Sequence, residues 1–188
     1  MRSVGVSPRA IVVEPEGRNT APAAAIAALL VQETDPEGVV LLMPSDHVVE
    51  DRGAFEGAIA KAIDVAQRGY IATLGMKAKT PETGYGYIQK GDPIAIDGAY
   101  SVQRFTEKPD SETAAQFVAT GEYFWNSGIF VFRADVMIAE LKKYAPAVVD
   151  ACMAALAKGA RDSDLVRLDR GAFEKAQNVS VDFAVMER

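Results

Sequence analysis

The run Val39-Val40-Leu41-Leu42-Met43, stopped by Pro44, constrains the fold of this chain more than any other segment. A strand with one wet face alternates apolar and polar residues, so an unbroken apolar run signals a strand covered on both faces, as in an α/β sheet. Its surroundings agree. Ala10–Val13 is a shorter apolar run ended by Glu14-Pro15, and an Ala-rich helix follows from Ala21 through Val31. Asn19 or Thr20 is placed to cap that helix and Pro22 is tolerated in its first turn. The helix is apolar nearly all round and therefore expected to be buried. Asp51 opens an amphipathic helix with Phe55, Ile59, Ala62, Ile63 and Ala66 on one face, Gly69 ends it, and Tyr70–Leu74 is a third strand. The order strand, helix, strand, helix, strand implies an open α/β sheet with right-handed crossovers. Ligands of such sheets sit beyond the carboxyl ends of the strands, where segments 14–20 and 44–47 lie.

The second half predicts strands at Tyr85–Gln89 and Tyr100–Phe105, a helix over Ser111–Thr120, and a buried strand at Ser127–Phe132. Helices are expected over Ala134–Tyr144 and, past Pro146, over Val148–Ala157. Residues 159–178 are mixed, with Leu165, Leu168 and Phe173 at helical spacing, and Val179–Val185 reads as a last strand. No internal repeat or low-complexity linker divides the chain, so a single domain over 1–188 is expected.

Composition narrows the function classes. Hydrophobic residues make up 49% and charged residues 24% of 188, which suits a folded domain with a sizeable core. Cys152 is the single cysteine, which excludes an internal disulfide framework and points to a reducing cytoplasm. No apolar run approaches the roughly 20 residues that span a bilayer, and the N-terminus lacks the pattern of a secretory signal. A net charge of −6 argues against bulk nucleic-acid binding. It leaves room for an anionic small substrate held by a few placed cations, a metal ion and helix N-termini.

Several short motifs carry chemistry, each beside a plainer reading. Asp46, just past the VVLLM strand, either holds a Mg²⁺ ion on substrate phosphates or caps a turn, and spacing alone favours the cap. His47 is the only histidine and cannot build a multi-histidine metal site. Glu14-Pro15-Glu16-Gly17-Arg18-Asn19-Thr20 joins a strand end to a helix start and either reads a purine edge or an anion, or is a loop before a capped helix. It is not a P-loop, and no G-x-G-x-x-G fingerprint follows a strand. Thr83-Gly84-Tyr85-Gly86-Tyr87 places two glycines where backbone can approach a sugar, or simply make a tight turn. Glu107-Lys108-Pro109 offers an acid and a base to a sugar hydroxyl and a phosphate, or two surface charges. Trp125-Asn126-Ser127-Gly128 offers Asn126 to a sugar hydroxyl beside a core tryptophan. Asp182, polar within an apolar run, is either a buried carboxylate with a metal partner or a residue on a solvated strand face.

Read together and in order, EPEGRNTAPAAAIAAL, VVLLMPSDHVV, TLGMKAKTPETGYGYI, FTEKPD, GEYFWNSGIFVFRAD and SVDFAVMER resemble mannose-1-phosphate guanylyltransferases. The likeness is to the bacterial type that is bifunctional with mannose-6-phosphate isomerase, and it runs from about Ile11 to Arg188. The resemblance implies a Rossmann-like nucleotidyltransferase fold with a mixed, mostly parallel sheet flanked by helices. It implies a nucleotide half over about 1–80 and a sugar-phosphate half over about 81–188. The implied reaction is attack of a mannose-1-phosphate oxygen on the α-phosphorus of GTP, releasing pyrophosphate, with positioning and charge neutralisation doing most of the catalysis. Asp46 and Asp182 are implied as the carboxylates holding Mg²⁺ and, with Lys108, as catalytic residues. Glu14, Arg18, Asn19 and Thr20 are implied in nucleotide binding, and Gly86, Glu107, Lys108 and Asn126 in sugar-phosphate binding.

The family's glycine-rich loop of the form G-x-G-T-R-L-x-P-L-S-R is not present in these residues. The expectation is therefore a domain truncated at both ends, with weak or no transferase activity alone, and with a homo-oligomer or a complementing chain as the candidate protein partners. Two alternatives stay open: a pyrophosphorylase for another sugar nucleotide, and a non-catalytic relative that binds a sugar nucleotide.

Overall fold

The computed structural model describes residue 5 and residues 7–188, so the reading of the N-terminus as free of a secretory pattern falls partly outside it. In chain order the elements are β1 (Ile11–Val13), α1 (Thr20–Gln32), β2 (Val39–Leu42), α2 (Arg52–Gln67) and β3 (Ala72–Lys77). They continue with β4 (Tyr87–Pro93), β5 (Tyr100–Thr106), α3 (Ser111–Thr120), β6 (Tyr123–Arg133), α4 (Ala134–Tyr144) and α5 (Pro146–Lys158). The chain closes with β7 (Ala160–Asp162), β8 (Leu165–Arg167), α6 (Arg170–Phe173) and a π-helical turn over Asp182–Met186. Among the described residues no helix is long and apolar enough to cross a membrane.

The α/β class with helices flanking the sheet is what the sequence predicts, and β6 organises it. Along one edge β6 pairs with β3, and along the other with β2 through Phe130–Arg133 and with β4 through Tyr123–Trp125. Alternation along β6 sends Phe130 and Phe132 into the core built from α1, α4 and α5, and Val131 to Ala62 and Ala66 of α2. Covering both faces explains why VVLL and IFVF are unbroken apolar runs. At the other end of β6, Tyr123 joins Tyr87, Ala114 and Phe117 in a smaller cluster under α3.

Three features differ from the sequence expectation. The sheet is less parallel: β2 and β3 run the same way, but β6 lies between them antiparallel, and every pairing in this five-stranded sheet is antiparallel. Apolar pattern marks a strand as buried without giving its neighbour, and β1 instead pairs in parallel with β8 in a separate three-stranded sheet. Second, residues 160–167 form a β7–β8 hairpin with Ser163 at φ +55°, so the helical spacing of Leu165, Leu168 and Phe173 is carried partly by a strand. Third, Val179–Val185 is not a strand. Val181 and Asp182 are buried, Phe183 is exposed, and Ala184 and Val185 are buried again, a helical rather than alternating rhythm. Ala184 N donates to Ser180 O at 2.9 Å and Glu187 N to Asp182 O at 3.0 Å, closing the turn.

Gly159 shows how tightly the hairpin sits on α5. A Cβ there would lie 2.3 Å from Arg167 O and 2.8 Å from Ala155 O, both backbone atoms with no rotamer to yield. Gly159→Ala is expected to lower stability by about 1–3 kcal/mol through overpacking, read as a lower denaturation midpoint at unchanged slope.

Candidate functional site

Three strands align one row of residues. Tyr87 of β4 faces Thr106 of β5 on one side and Trp125 of β6 on the other. One step earlier the same register sets Gly86 between Glu107 and Asn126, and strand alternation turns that row to the opposite face of the sheet. Asn126 N donates to Gly86 O at 2.7 Å. A Cβ on Gly86 would stand 2.5 Å from Glu107 Oε2 and 3.3 Å from Asn126 Cβ, so the missing side chain is the space the carboxylate occupies. Gly84, by contrast, has open space around it, which makes it a turn glycine. Gly86→Ala is expected to displace the Glu107 carboxylate, cost about 1–2 kcal/mol of stability and weaken ligand binding at this row, both measurable on one purified variant.

Asp182 joins the row from the π-helical turn. Its Oδ1 accepts from Asn126 Nδ2 at 2.8 Å. Asn126 Oδ1 in turn accepts from the Thr73 hydroxyl at 2.8 Å and from Gly128 N at 3.3 Å. Lys108 Nζ lies 3.3 Å from Glu107 Oε1, with the lysine side chain well exposed and the glutamate side chain only 10% exposed. Glu187 Oε1 accepts from Glu107 N at 2.8 Å. Gly86, Glu107, Lys108, Asn126 and Asp182, five of the residues singled out in the sequence, thus form one connected cluster. Thr73 and Glu187 belong to it and were not foreseen.

Burial sets the electrostatics. It pushes the Asp182 carboxyl above its ordinary value, offset in part by its own backbone amide, the Asn126 amide and the Lys108 charge. Burial also raises Glu107, the negative charges of Asp182 and Glu187 add to the rise, and Lys108 opposes it. Two desolvated carboxylates, an oriented amide and an exposed cation make a set of acceptors and donors suited to sugar hydroxyls, with a positive charge for an attached phosphate.

The segment after β1 forms a second group. Asn19 caps α1, its side chain accepting from Thr20 N, and Thr20 Oγ1 accepts from Val181 N at 2.9 Å. Ala21 N donates to Val179 O at 3.1 Å. Arg18 pairs with Glu16 and donates to Ala176 O at 3.4 Å. Half-burial raises the Glu14 carboxyl, and burial, with a smaller part from the Glu14 charge, pushes the Cys152 thiol up to about 12, which makes that thiol inert as a nucleophile at neutral pH. This loop is therefore stitched to the stretch that ends in Asp182.

Asp46 stands exposed and outside the hydrogen-bonded cluster. Its loop nevertheless begins beside it: the Pro44 ring lies 3.8 Å from where a Gly128 Cβ would be. Among the described residues no group of three or more His, Cys, Asp or Glu side chains could hold a metal. Buried Asp182 offers a hard carboxylate oxygen, the kind of ligand that divalent ions take together with phosphate oxygens. Asn19 (φ +66°) and Lys108 (φ +45°) are two of the three non-glycine residues at positive φ among the described residues. Such backbone costs about 1–3 kcal/mol and persists only where the surroundings enforce it.

A family model described as nucleotidyl transferase matches residues 3–173. The chain belongs to that family. It is 48% identical over its whole length to xanthan biosynthesis protein XanB of Xanthomonas campestris pv. campestris (strain B100), and 44% identical to alginate biosynthesis protein AlgA of Pseudomonas aeruginosa. It is 46% identical, over 95% of its residues, to the mannose-1-phosphate guanylyltransferase of Escherichia coli K12. The chain spans about 40% of the length of these curated relatives. Among solved structures, that of mannose-6-phosphate isomerase from Helicobacter pylori superimposes with a TM-score of 0.84 at 36% identity, over 95% of this chain and 68% of that one. The mannose-1-phosphate geranyltransferase of Thermus thermophilus gives 0.79 at 30% identity, over 94% of this chain and 49% of that one. The nucleotidyltransferase fold inferred from the motifs is thus established.

Proposed function

We propose that this nucleotidyl transferase chain supplies the sugar-phosphate side of a mannose-1-phosphate guanylyltransferase, which makes GDP-mannose and pyrophosphate from GTP and mannose-1-phosphate. The observation that carries the reading is the convergence of Gly86, Glu107, Asn126 and Asp182, drawn from four separate stretches, with Lys108 beside them. The name of the E. coli relative states that chemistry, and the names of XanB and AlgA state roles in xanthan and alginate biosynthesis.

In this mechanism Glu107 accepts from a sugar hydroxyl, and Asn126, oriented by its own contacts, bonds a second. Gly86, by lacking a side chain, leaves the space in which the Glu107 carboxylate stands to meet that hydroxyl. Lys108 extends over the sugar phosphate and lowers its charge repulsion toward the incoming nucleotide phosphate. Asp182 and Asp46 would hold a Mg²⁺ ion, which supplies neutralisation of phosphate charge. Glu14, Arg18, Asn19 and Thr20 line the purine side, at the carboxyl end of β1. Holding the sugar-phosphate oxygen in line with the nucleotide α-phosphorus replaces an encounter in solution, and most of the acceleration comes from that positioning. The nucleotide half over about 1–80 and the sugar half over about 81–188, the role of a homo-oligomer or complementing chain, and a cytoplasmic setting where GTP is made belong to this reading.

The test is a titration followed through Trp125, the only tryptophan, which neighbours Asn126 in sequence. Mannose-1-phosphate is expected to change its fluorescence saturably, with mannose and inorganic phosphate far weaker. Lys108→Ala is expected to raise the dissociation constant about tenfold or more, the loss of a charge-assisted contact to phosphate. Equal affinity of Lys108→Ala and the parent chain would remove the phosphate role assigned to this lysine.

A further inference from the structure

Thr73 sits on β3, and nothing in its surroundings in the sequence, Ile71-Ala72-Thr73-Leu74, marks it as more than a polar residue in a strand. The register says otherwise. Thr73 faces Phe130 across the β3–β6 pair, yet two residues further on Gly75 faces Asn126. Between those pairings β3 spends one residue, Leu74, and β6 spends three, Ser127, Gly128 and Ile129. The two extra residues form a bulge, with Gly128 at φ +69°. Because the surplus is even, Asn126 stays on the face that carries Thr73 and Gly75. Gly75 offers no side chain there. The bulge has two consequences. Gly128 N turns back toward Asn126 Oδ1, at 3.3 Å, and the Thr73 hydroxyl comes within 2.8 Å of the same oxygen.

Backbone N–H can only donate, so the oxygen of the Asn126 amide is the end that faces Gly128 and Thr73, and the nitrogen is the end that faces Asp182 at 2.8 Å. The contact from Gly128 is long. The hydroxyl contact is short and comes from a β-branched side chain whose χ1 is restricted. We infer that Thr73 is a positioning residue of the sugar-phosphate site: its hydroxyl fixes the Asn126 amide so that Nδ2 is presented to Asp182 and to the bound sugar. The inference rests on the proposed function for the ligand, and on the geometry alone for the hydrogen-bond chain Thr73–Asn126–Asp182.

Two variants and two measurements test it. Thr73→Val keeps the shape and removes the donor, while Thr73→Ser keeps the donor. In ¹⁵N NMR of the chain without ligand, one Asn126 side-chain amide proton is expected to be shifted and protected from exchange by its bond to Asp182. Thr73→Val should lose that protection and Thr73→Ser keep it. In titration with mannose-1-phosphate, Thr73→Val should raise the dissociation constant roughly tenfold, the effect of one oriented hydrogen bond, and Thr73→Ser should restore it to within about twofold. An Asn126 amide signal unchanged in Thr73→Val, or a serine variant that behaves as the valine one does, would overturn the inference. So would a loss of thermal stability in Thr73→Val with unaltered affinity, since that marks a merely structural hydroxyl. Failure of the parent chain to bind mannose-1-phosphate would strike at the proposed function instead, and the ligand-free spectrum would still decide the role of Thr73.

Discussion

Asn126→Ala is expected to be the most damaging single change in the site, lowering stability by about 3–4 kcal/mol and removing measurable sugar-phosphate binding. The reason is that one amide serves two buried partners. Its nitrogen holds Asp182, a residue only 9% exposed, and its oxygen takes the Thr73 hydroxyl and Gly128 N. Deleting it takes the Asn126 donor from a buried carboxylate, leaving it its own backbone amide, the Lys108 charge and the Ser180 hydroxyl, and leaves the Thr73 hydroxyl without its acceptor. Removing one partner of a buried charge is among the costlier substitutions, because the charge stays desolvated and uncompensated. Asn126→Asp is expected to be no milder, since it sets a second carboxylate at hydrogen-bond distance from the first. Equilibrium denaturation in urea reads the stability term, and calorimetry on the surviving folded fraction reads the binding term. A folded, fully stable Asn126→Ala variant would mean that Asp182 finds its compensation elsewhere.

Glu107→Gln is expected to divide function from stability. Burial and the charges of Asp182 and Glu187 raise the carboxyl of Glu107 in the folded chain above its ordinary value of 4.5. A carboxyl raised by folding favours the folded state while it is protonated, below the unfolded value. That contribution is lost as pH rises through the higher folded value. At pH 7 the ionised Glu107 therefore works against folding, and the neutral glutamine should unfold at a higher temperature than the parent. The advantage should shrink as pH falls toward the ordinary value of 4.5 and vanish below it. Binding moves the other way. A carboxylate accepting from a sugar hydroxyl is worth about 1.5–3 kcal/mol, so the glutamine is expected to bind mannose-1-phosphate about tenfold to a hundredfold more weakly. Thermal scans between about pH 4 and 8 check the first half and a titration at pH 7 checks the second. A variant less stable than the parent at pH 7 would show that the Lys108 contact outweighs the burial of the carboxylate.

Local signals carried far in some segments and not in others. The helices over Ser111–Thr120 and Ala134–Tyr144 match their expected bounds residue for residue. The first is enclosed by Asp110, whose side chain accepts from Thr113 N, and by Gly121 in the left-handed conformation, so both ends are written in the residues. The β7–β8 hairpin was less legible, because strands of three residues leave no periodicity to read and Leu165, Leu168 and Phe173 imitate a helix. The π-helical turn differs from the expected strand because Val179–Val185 is apolar enough for either, and burial of Asp182 beside Val181 is a tertiary fact. The antiparallel insertion of β6 between β2 and β3 was equally out of reach, since an apolar pattern fixes neither neighbour nor direction.

The site divides in the same way. Gly86, Glu107, Lys108, Asn126 and Asp182 were visible as motif residues, each with a plainer explanation, and proximity is what the fold adds. Thr73 escaped notice because a lone hydroxyl in a strand looks ordinary until the bulge in β6 sets the register. Glu187 lies next to Arg188 in a charged pair, which reads as surface. Asp46 remains outside the hydrogen-bonded cluster, on a loop that starts beside Gly128.

The measurement that bears most directly on the central claim is a calorimetric titration of the folded 188-residue chain with mannose-1-phosphate, with and without Mg²⁺. The expected result is saturable binding at one site per chain, strengthened by Mg²⁺, markedly weaker with glucose-1-phosphate and abolished in Asn126→Ala. No binding heat from mannose-1-phosphate under either condition, in a chain that still unfolds cooperatively, would contradict the assignment of this cluster as a sugar-phosphate site.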